Sequence, residues 1–431
     1  MNLSTAAASQ KTFFREQFFL ARQPILDRGQ SLIAYELLFR SAGTGPAGVD
    51  DNLAATASVI LNTLAIGVDQ VIGNALGFIN VDAALLMSDA VDFLPASRVV
   101  LEILETVIAT PELIERITAL QQAGYTFALD DVVSDTADVR SFMPFVSIVK
   151  IDITDLSPAA LGRLCADCKQ ANKRLLAEKV ETLAQFQTCV ALGFDFFQGY
   201  YFARPTVLQG KKFSPAQSTV LELMHLLTAD ADNIDIEQAI KKSVPLSLSL
   251  LKMVNTPAYG VTRHSDSIKQ AIAVLGRQQL QRWLQILLYA EPNQPKQFVS
   301  PLLSMATTRG RFLELLVREL QPLERALADT AFTIGVMSLL DALFGTAMAT
   351  VLDEIAVSDD VKQALLQREG LCGELLKIAE SLEAAENDDT TCKSFLDEMQ
   401  LSLSDLLRIQ LDAYKWSNEI VQASAARTHE G

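Results

Sequence analysis

The sequence is poor in basic residues. Its 36 lysines and arginines stand against 52 aspartates and glutamates, which gives a formal net charge of −16 and a pI near 4.7. A general nucleic-acid surface needs basic patches that neutralise the phosphate backbone. The composition therefore argues against direct nucleic-acid binding. A small anionic ligand needs only local positive charge in one pocket, so such a ligand stays open.

Cysteine is also scarce and irregularly placed. The five cysteines are Cys165, Cys168, Cys189, Cys372 and Cys392. An odd count without regular spacing is not a disulfide framework, and it favours a reducing cytoplasm. Cys165 and Cys168 form a lone C-x-x-C with no second Cys or His pair nearby. We therefore expect neither a zinc site nor a redox centre there.

Long uncharged apolar runs are missing as well. No such run approaches the roughly 18 residues that mark a transmembrane helix, so no membrane insertion is expected. The apolar residues between positions 13 and 20 are interrupted by Arg15, Glu16 and Gln17. The N-terminal region therefore predicts no signal peptide.

The length of 431 residues predicts two domains. From residue 18 to residue 197, short apolar runs alternate with helical patterns, giving about eight strands and indicating an α/β sheet or barrel. The turn signal Asp27-Arg28-Gly29 separates the first two strands. A link this short implies an antiparallel pair, because a parallel crossover needs about a dozen residues. We predict a compact (β/α)8, TIM-like barrel with an antiparallel first strand over residues 13–206.

Helical periodicity dominates from residue 213 onward. We predict an all-helical domain over residues 213–425, after a linker at 207–212. Asp235 is expected to cap one of its first helices, and residues 324–344 are expected to form one unbroken helix. The fold class is thus α/β plus all-α.

Polar residues stand at or near the predicted carboxyl ends of the barrel strands. They are Glu36, Asn80, Glu102, Asp130, Asp131, Lys150, Asp152, Glu178 and Gln198. Loops converge on one mouth at this end of a barrel, so the side chains are expected to share a pocket. Carboxylates and an amide suit hard divalent cations such as Mg²⁺ or Mn²⁺. The alternative is that each polar residue merely ends its strand.

These motifs resemble the EAL domain, a barrel that hydrolyses or senses cyclic di-GMP in bacteria. The resemblance covers about residues 18–205, and its motifs follow in the family's order. They are residues 21–25 (ARQPI), 35–40 (YELLFR), 78–81 (FINV), 101–105 (LEILE), 130–131 (DD), 149–152 (VKID), 177–181 (AEKVE) and 197–200 (FQGY).

The resemblance implies a role for each motif residue. One metal would be bound by Glu36, Asn80, Glu102 and Asp130. Asp131 would face a second metal or the attacking water, which Lys150 and Glu178 would assist. Ligand binding is implied for Gln23, Arg40, Asp152 and Gln198, with the planar guanidinium of Arg40 reaching a phosphate.

Two departures from the family pattern bear on activity. Leu37 stands where the family usually has Ala. The paired aspartates are followed by Val132 and Val133, where active members continue with Phe-Gly. Since β-branched valines stiffen the backbone, the loop that makes the ligands productive is expected to be altered.

The second half resembles the HDOD domain, an all-helical relative of metal phosphohydrolases. The resemblance rests on residues 250–260 (LLKMVNTPAYG), 267–276 (SIKQAIAVLG) and 281–284 (QRWL). Those hydrolases need a His-Asp pair, whereas His225, His264 and His429 are the only histidines and none precedes Asp. We therefore expect no metal-hydrolase centre in this half, and we expect Asn255 and Trp283 to shape the fold or an interface.

An EAL-like module followed by an HDOD-like module is typical of bacterial signalling proteins. The altered loop favours a degenerate, ligand-binding or regulatory barrel, whose HDOD domain relays a signal to a protein partner. The retained ligand set supports the alternative, a cyclic di-GMP phosphodiesterase that uses Mg²⁺ or Mn²⁺ and releases a linear dinucleotide. A homodimer is compatible with both interpretations.

Overall fold

Eight strands close into a barrel in the computed structural model of this chain. The structure describes residues 18–41, 67–134, 136–199, 201, 215–254, 265, 267–289, 299–355, 357–383 and 389–426. Two compact units are present. One comprises residues 1–202, 297–301 and 378–431, and the other comprises residues 203–296 and 302–377.

The barrel has one unusual strand. β1 runs antiparallel to both of its neighbours, β2 and β8, and the remaining neighbouring pairs are parallel. The predicted (β/α)8 barrel with an antiparallel first strand is therefore confirmed. The strands are β1 (Phe18–Asp27), β2 (Leu32–Ser41), β3 (Leu76–Val81), β4 (Val99–Ile103), β5 (Thr126–Leu129), β6 (Ile148–Asp152), β7 (Arg174–Glu178) and β8 (Phe196–Phe197).

Helices on the outside of the barrel begin where the sequence places caps. The Ser157 hydroxyl accepts a hydrogen bond from the Ala160 N–H, and Pro158 takes the first turn of its helix. Thr182 and Gln185 form a reciprocal capping box. The helices between the strands are α1 (Val68–Ile72), α2 (Ala83–Met87), α3 (Pro111–Gln122), α4 (Ala137–Phe142), α5 (Pro158–Gln170) and α6 (Leu183–Leu192).

A layer of apolar side chains fills the barrel interior, and seven strands each contribute one residue. These are Ile25, Ala34, Phe78, Val100, Ala128, Ile148 and Leu176. A larger apolar layer separates the strands from the surrounding helices. Because side chains alternate between the two faces of a strand, the next inward position lies two residues along. This spacing positions the polar residues of the mouth.

The rest of the described chain is helical, as predicted. Its elements are α7 (Pro215–Thr228), α8 (Asn233–Lys241), α9 (Val244–Val254), α10 (Ile268–Leu287), α11 (Pro301–Leu320), α12 (Arg325–Met337), α13 (Leu340–Phe344), α14 (Met348–Glu354), α15 (Asp359–Gln367), α16 (Gly370–Glu383), α17 (Asp389–Met399) and α18 (Leu403–Ala426). By length and composition, residues 325–344 would suffice to cross a membrane. However, 61% of its apolar 18-residue stretch is buried inside the structure, as in the core helix of a globular domain.

Two local predictions in this half are wrong. Asp232, not Asp235, is the N-cap of α8, and Asp235 lies in the first turn, where the helix dipole also favours a carboxylate. The expected single helix over 324–344 breaks after Met337. There the Ser338 hydroxyl donates to the Gly335 carbonyl and accepts from Arg309, which offers the backbone an alternative to the helical ladder.

The compact units do not follow the predicted domain boundaries at the C-terminus. Residues 378–431 group with the barrel rather than with the helical unit, and α18 packs against β1 and α1. The predicted linker at 207–212 and nearly all of the helix predicted over 51–67 lie outside the described residues.

Candidate metal-binding and catalytic site

Eight of the predicted site residues sit one inward position above the apolar interior layer. On each parallel strand the polar residue follows an interior residue by two positions, as Glu36 follows Ala34 and Glu102 follows Val100. On antiparallel β1 the polar residue, Gln23, precedes Ile25 by two. The same rule places inside the mouth Gln23, Glu36, Asn80, Glu102, Asp130, Lys150, Glu178 and Gln198.

Lys150 lies at the centre of this layer with its side chain 1% exposed. Its Nζ is 2.8 Å from an oxygen of Asp130 and 2.9 Å from one of Glu102. It also lies 3.1 Å from an oxygen of Glu178 and 3.4 Å from one of Glu36. Four carboxyl groups from four strands thus surround one ammonium group.

Two amides orient the Glu36 carboxylate. Gln198 Nε2 donates to Glu36 Oε2 and to Gln23 Oε1, both at 2.7 Å. Asn80 Nδ2 donates to the other oxygen, Glu36 Oε1, at 3.2 Å. Glu36 is therefore held on one oxygen by Asn80 of β3 and on the other by Gln198 after β8, and Gln198 is itself tied to Gln23 of β1.

Burial and charge pull the pKa values of this cluster in different directions. Burial alone would raise the pKa of Glu36, but Lys150, Gln198 and Asn80 outweigh it and hold that pKa below its usual value. Burial raises the pKa of Glu102 far above its usual value. The positive charge of Lys150 lowers this pKa in part, whereas repulsion from Glu36 and Asp130 raises it further. Burial would lower the pKa of Lys150, yet the surrounding carboxylates raise it well above normal, so the ammonium stays charged.

Glu178 differs from the other carboxyl groups. Burial raises its pKa to about 7, with repulsion from Asp130 and Glu36 opposing the attraction of Lys150. A carboxyl group that titrates near neutrality is suited to exchange a proton with a substrate or water.

The donor set fits a hard divalent cation. Four carboxyl groups face one ammonium, so the layer carries an excess of negative charge. Asn80 Oδ1 and Glu102 Oε2 are buried and accept no hydrogen bond from the part of the chain that the structure describes. Buried oxygens without partners are costly, and a cation bound by them removes that cost.

Asp131 and Asp152 belong to a second acidic group. One carboxylate oxygen of each of these residues and one of Asp155 lie within 4.8 Å of one another. Asp131 is not among the described carboxylates that pair with Lys150. Burial raises the pKa of Asp131, and the negative charges of Asp130 and Asp152 raise it further.

Lys179 is the counter-charge of this second group. Its Nζ lies 2.5 Å from Asp152 Oδ2, and Thr154 donates two hydrogen bonds to Asp152 Oδ1. Burial would raise the pKa of Asp152, but these partners lower it overall. Asp131 and Lys179 both have left-handed backbones, with φ of 43° and 53°. Lys179 and Asp155 were not among the predicted site residues, although a lysine directly after the strand-end Glu178 is a signal that could have pointed to Lys179.

The segment after Asp131 is anchored to the barrel. Val132 is 2% exposed, and its N–H donates to the Lys150 carbonyl at 3.0 Å. Val133 is exposed. Val132 is therefore held by burial of its side chain and by a backbone hydrogen bond to β6. The side chain of Arg40, the motif residue Tyr200 and the segment at 255–264 lie outside the described residues.

Models of two known protein families match the two halves of the chain. The EAL domain model matches residues 6–205, and the HDOD domain model matches residues 214–340. Cyclic di-GMP phosphodiesterase CdgJ of Vibrio cholerae is 32% identical over 412 residues, which cover 93% of this chain and 93% of that protein. The uncharacterized protein YuxH of Bacillus subtilis is 28% identical and is matched over 99% of its length, with 94% of this chain covered.

Solved structures are matched more distantly. The manganese and cyclic di-GMP complex of Klebsiella pneumoniae BlrP1 is 21% identical, with a TM-score of 0.38. The match covers 43% of this chain and 55% of that one, so the chain spans little more than half the length of BlrP1.

Proposed function

Because this chain belongs to the family of proteins that join an EAL domain to an HDOD domain, we propose that its barrel is a divalent-metal-dependent phosphodiesterase that opens cyclic di-GMP to the linear dinucleotide. The observation that carries the proposal is the set of four carboxyl groups around buried Lys150, with unpartnered oxygens on Asn80 and Glu102. The naming of CdgJ as a phosphodiesterase supports the same activity.

The metal would be Mg²⁺ or Mn²⁺, held by Glu36, Asn80, Glu102 and Asp130. When bound, such an ion supplies positive charge for the phosphate and acidifies water. Asn80 and Gln198 orient Glu36 through the hydrogen bonds that they donate to it.

Lys150 and Glu178 have complementary roles beside these ligands. Lys150 stays protonated among its carboxylates, so it acts as a fixed positive charge and hydrogen-bond donor rather than as a base. Glu178, 3.1 Å from Lys150, takes the proton from the attacking water. The water oxygen bonds to phosphorus while the bond from phosphorus to one ribose oxygen breaks. That ribose oxygen takes up the proton that left the water, so a single phosphodiester opens to a hydroxyl and a phosphate monoester.

A second candidate function is regulation by binding without turnover. The anchored Val132 favours it, because a fixed segment beside Asp131 restricts how the second acidic group can rearrange. In this case the barrel binds cyclic di-GMP or a partner, and the HDOD domain relays the state to a protein. Among the described residues, the buried cysteines Cys165 and Cys189 form no disulfide, which agrees with the cytoplasmic location that we propose in both cases.

One assay separates the two functions. Purified full-length protein is incubated with cyclic di-GMP and Mn²⁺, and the linear product is followed by chromatography. We expect turnover that is lost in Glu36→Gln and kept in Glu115→Gln, an exposed glutamate on α3. Calorimetric binding of cyclic di-GMP without product would instead support regulation by this ligand. The absence of both turnover and binding would refute the phosphodiesterase and the cyclic di-GMP receptor together, and would leave only regulation through a protein partner.

A further inference from the structure

The outer face of β1 and β2 receives no helix from its own connection. In a (β/α)8 barrel, each crossover between parallel strands supplies one helix of the outer ring. β1 and β2 are joined by a tight turn, in which the Gln30 N–H donates to the Asp27 carbonyl at 2.9 Å. This hairpin therefore needs an outer helix from elsewhere in the chain.

Helix α18 supplies that cover from the end of the chain. It packs against β1 and α1, and Tyr414 belongs to the buried core between strands and helices, with Leu407 and Leu411 packed against that core. Gln410 Nε2 and the Tyr414 hydroxyl both donate to the Leu20 carbonyl, at 3.1 and 3.4 Å. These two side chains fasten the helix directly to the backbone of β1.

Arg22 makes a further link between β1 and the helix. It is 8% exposed, and its guanidinium lies 4.4 Å from the Tyr35 ring centroid and 4.0 Å from that of Tyr414. It donates to Asn418 Oδ1 at 3.2 Å and to the Val71 carbonyl. A desolvated guanidinium between two aromatic rings gains more from the cation–π interaction than an exposed one does.

The residue after Arg22 belongs to the mouth. Arg22 and Gln23 point to opposite faces of β1, because side chains alternate along a strand. Gln23 pairs with Glu36 in the β1–β2 register, and its Oε1 accepts from the same Gln198 amide that holds Glu36. A shift of β1 at Arg22 therefore displaces the hydrogen bonds that orient Glu36.

We propose that α18 is a positioning element of the barrel site, and that Arg22 and Tyr414 are its positioning residues. They act on Glu36 through the backbone of β1, Gln23 and Gln198. The proposal rests on the proposed function only in taking Glu36 as a cation ligand. The closure of the barrel by α18 rests on the contacts alone.

The test uses the full-length chain and two measurements. Mn²⁺ affinity is measured by calorimetry, and hydrogen exchange of β1–β2 peptides is compared with that of β5–β6 peptides by mass spectrometry. Tyr414→Ala is expected to weaken Mn²⁺ binding by about tenfold or more, the usual effect of losing a group that orients a metal ligand. It should also accelerate exchange in β1–β2 much more than in β5–β6. Tyr414→Phe keeps the ring beside Arg22 and loses only the 3.4 Å hydrogen bond to Leu20, so it should restore most of both properties.

Leu120→Ala is the matched control. Leu120 is buried on α3, which follows β4 on the side of the closed barrel opposite β1. It should lower the stability of the barrel without a selective effect on β1–β2 exchange or on Mn²⁺ affinity. If Tyr414→Ala does not fold, Gln410→Met removes only the hydrogen bond to Leu20 and should act in the same direction with a smaller effect.

Three results would overturn the proposal. They are unchanged β1–β2 exchange in Tyr414→Ala, acceleration that is uniform around the barrel, and an equal loss of Mn²⁺ affinity in Leu120→Ala. If the wild-type chain binds no Mn²⁺, the proposed function fails, and the exchange measurement still decides the role of α18.

Discussion

The Nζ atom of Lys150 lies 2.9 Å from Oε1 of Glu102, and the two side chains are 1% and 0% exposed. In a buried ion pair each partner depends on the other, because removing one partner leaves the other charged, buried and without a counter-charge. In this barrel the dependence is one-sided, because three further carboxyl groups also contact the Lys150 ammonium. The stability of the four carboxyl groups at the mouth therefore depends on Lys150.

Lys150→Met should destabilise the metal-free protein strongly. The change leaves Glu36, whose pKa Lys150 helps to lower, and its neighbouring carboxyl groups without a counter-charge. Breaking a buried pair in this way costs about 3–5 kcal/mol. The measurement is the free energy of unfolding in urea, with Lys169→Met as the control, since Lys169 pairs with Asp195 at a partly exposed site. Mn²⁺ should recover more stability in Lys150→Met than in the wild type, because a cation replaces the lost charge. Equal losses in the two variants would contradict this prediction.

Gln198→Leu should weaken cation binding while leaving the fold intact. The substitution removes the two 2.7 Å hydrogen bonds that tie Glu36 to Gln23. Losing a group that orients a metal ligand typically lowers affinity by about 10–100-fold. Calorimetric titration with Mn²⁺ measures the effect, with Gln121→Leu as the control, because Gln121 donates to the Phe145 carbonyl outside the site. An unchanged affinity in Gln198→Leu would show that Glu36 needs no such support.

Gly199→Ala should disrupt the end of β8. A Cβ at this position would lie 2.4 Å from both the nitrogen and the oxygen of Val180, and the backbone φ of 145° disfavours a side chain. Gly162→Ala is the matched control, because it lies within helix α5 with no atom within 4 Å of the added carbon. There alanine should stabilise by about 0.5–1 kcal/mol. Thermal melting of the two variants should therefore shift in opposite directions, and parallel shifts would refute the clash at Val180.

Glu314 in the helical unit should make stability depend on pH. Its side chain is fully buried and pairs with Arg282 and Arg311 at 2.8 Å and with Arg318 at 2.5 Å. Burial would raise the pKa of Glu314, but the arginines outweigh it and lower the pKa. A lowered pKa gives stability that is present above the unfolded value and lost as the pH falls through the folded value.

The variant Glu314→Gln tests this sign. It should cost about 3 kcal/mol near pH 7, and the difference from wild type should shrink as the pH is lowered below about 4. Urea unfolding at a series of pH values gives the comparison. Glu222→Gln, at an exposed pair with Lys242, should change stability by less than about 1 kcal/mol at every pH. A Glu314 difference that stays constant down to pH 3 would rule out the ion pairs as its source.

Much of the mouth was predictable because strand geometry is local. Glu36, Asn80 and Glu102 each follow a short apolar run, and two-residue alternation fixes the face on which they lie. The pairing of Lys179 with Asp152 was not predicted, because it depends on a left-handed backbone at Lys179. The break at Ser338 was not predicted either, because the hydrogen bond that Ser338 accepts from Arg309 comes from another helix.

The sequence by itself determined the alternation of strands and helices, the barrel with its antiparallel hairpin, and the polar residues at its strand ends. Each of these follows from the periodicity or turn chemistry of neighbouring residues. Only the tertiary structure decided that Lys150 lies among four carboxyl groups and that Tyr414 covers Arg22. Those contacts join residues far apart in the chain. Periodicity records which face a residue occupies, but which distant residue meets it there is set by how the whole barrel closes.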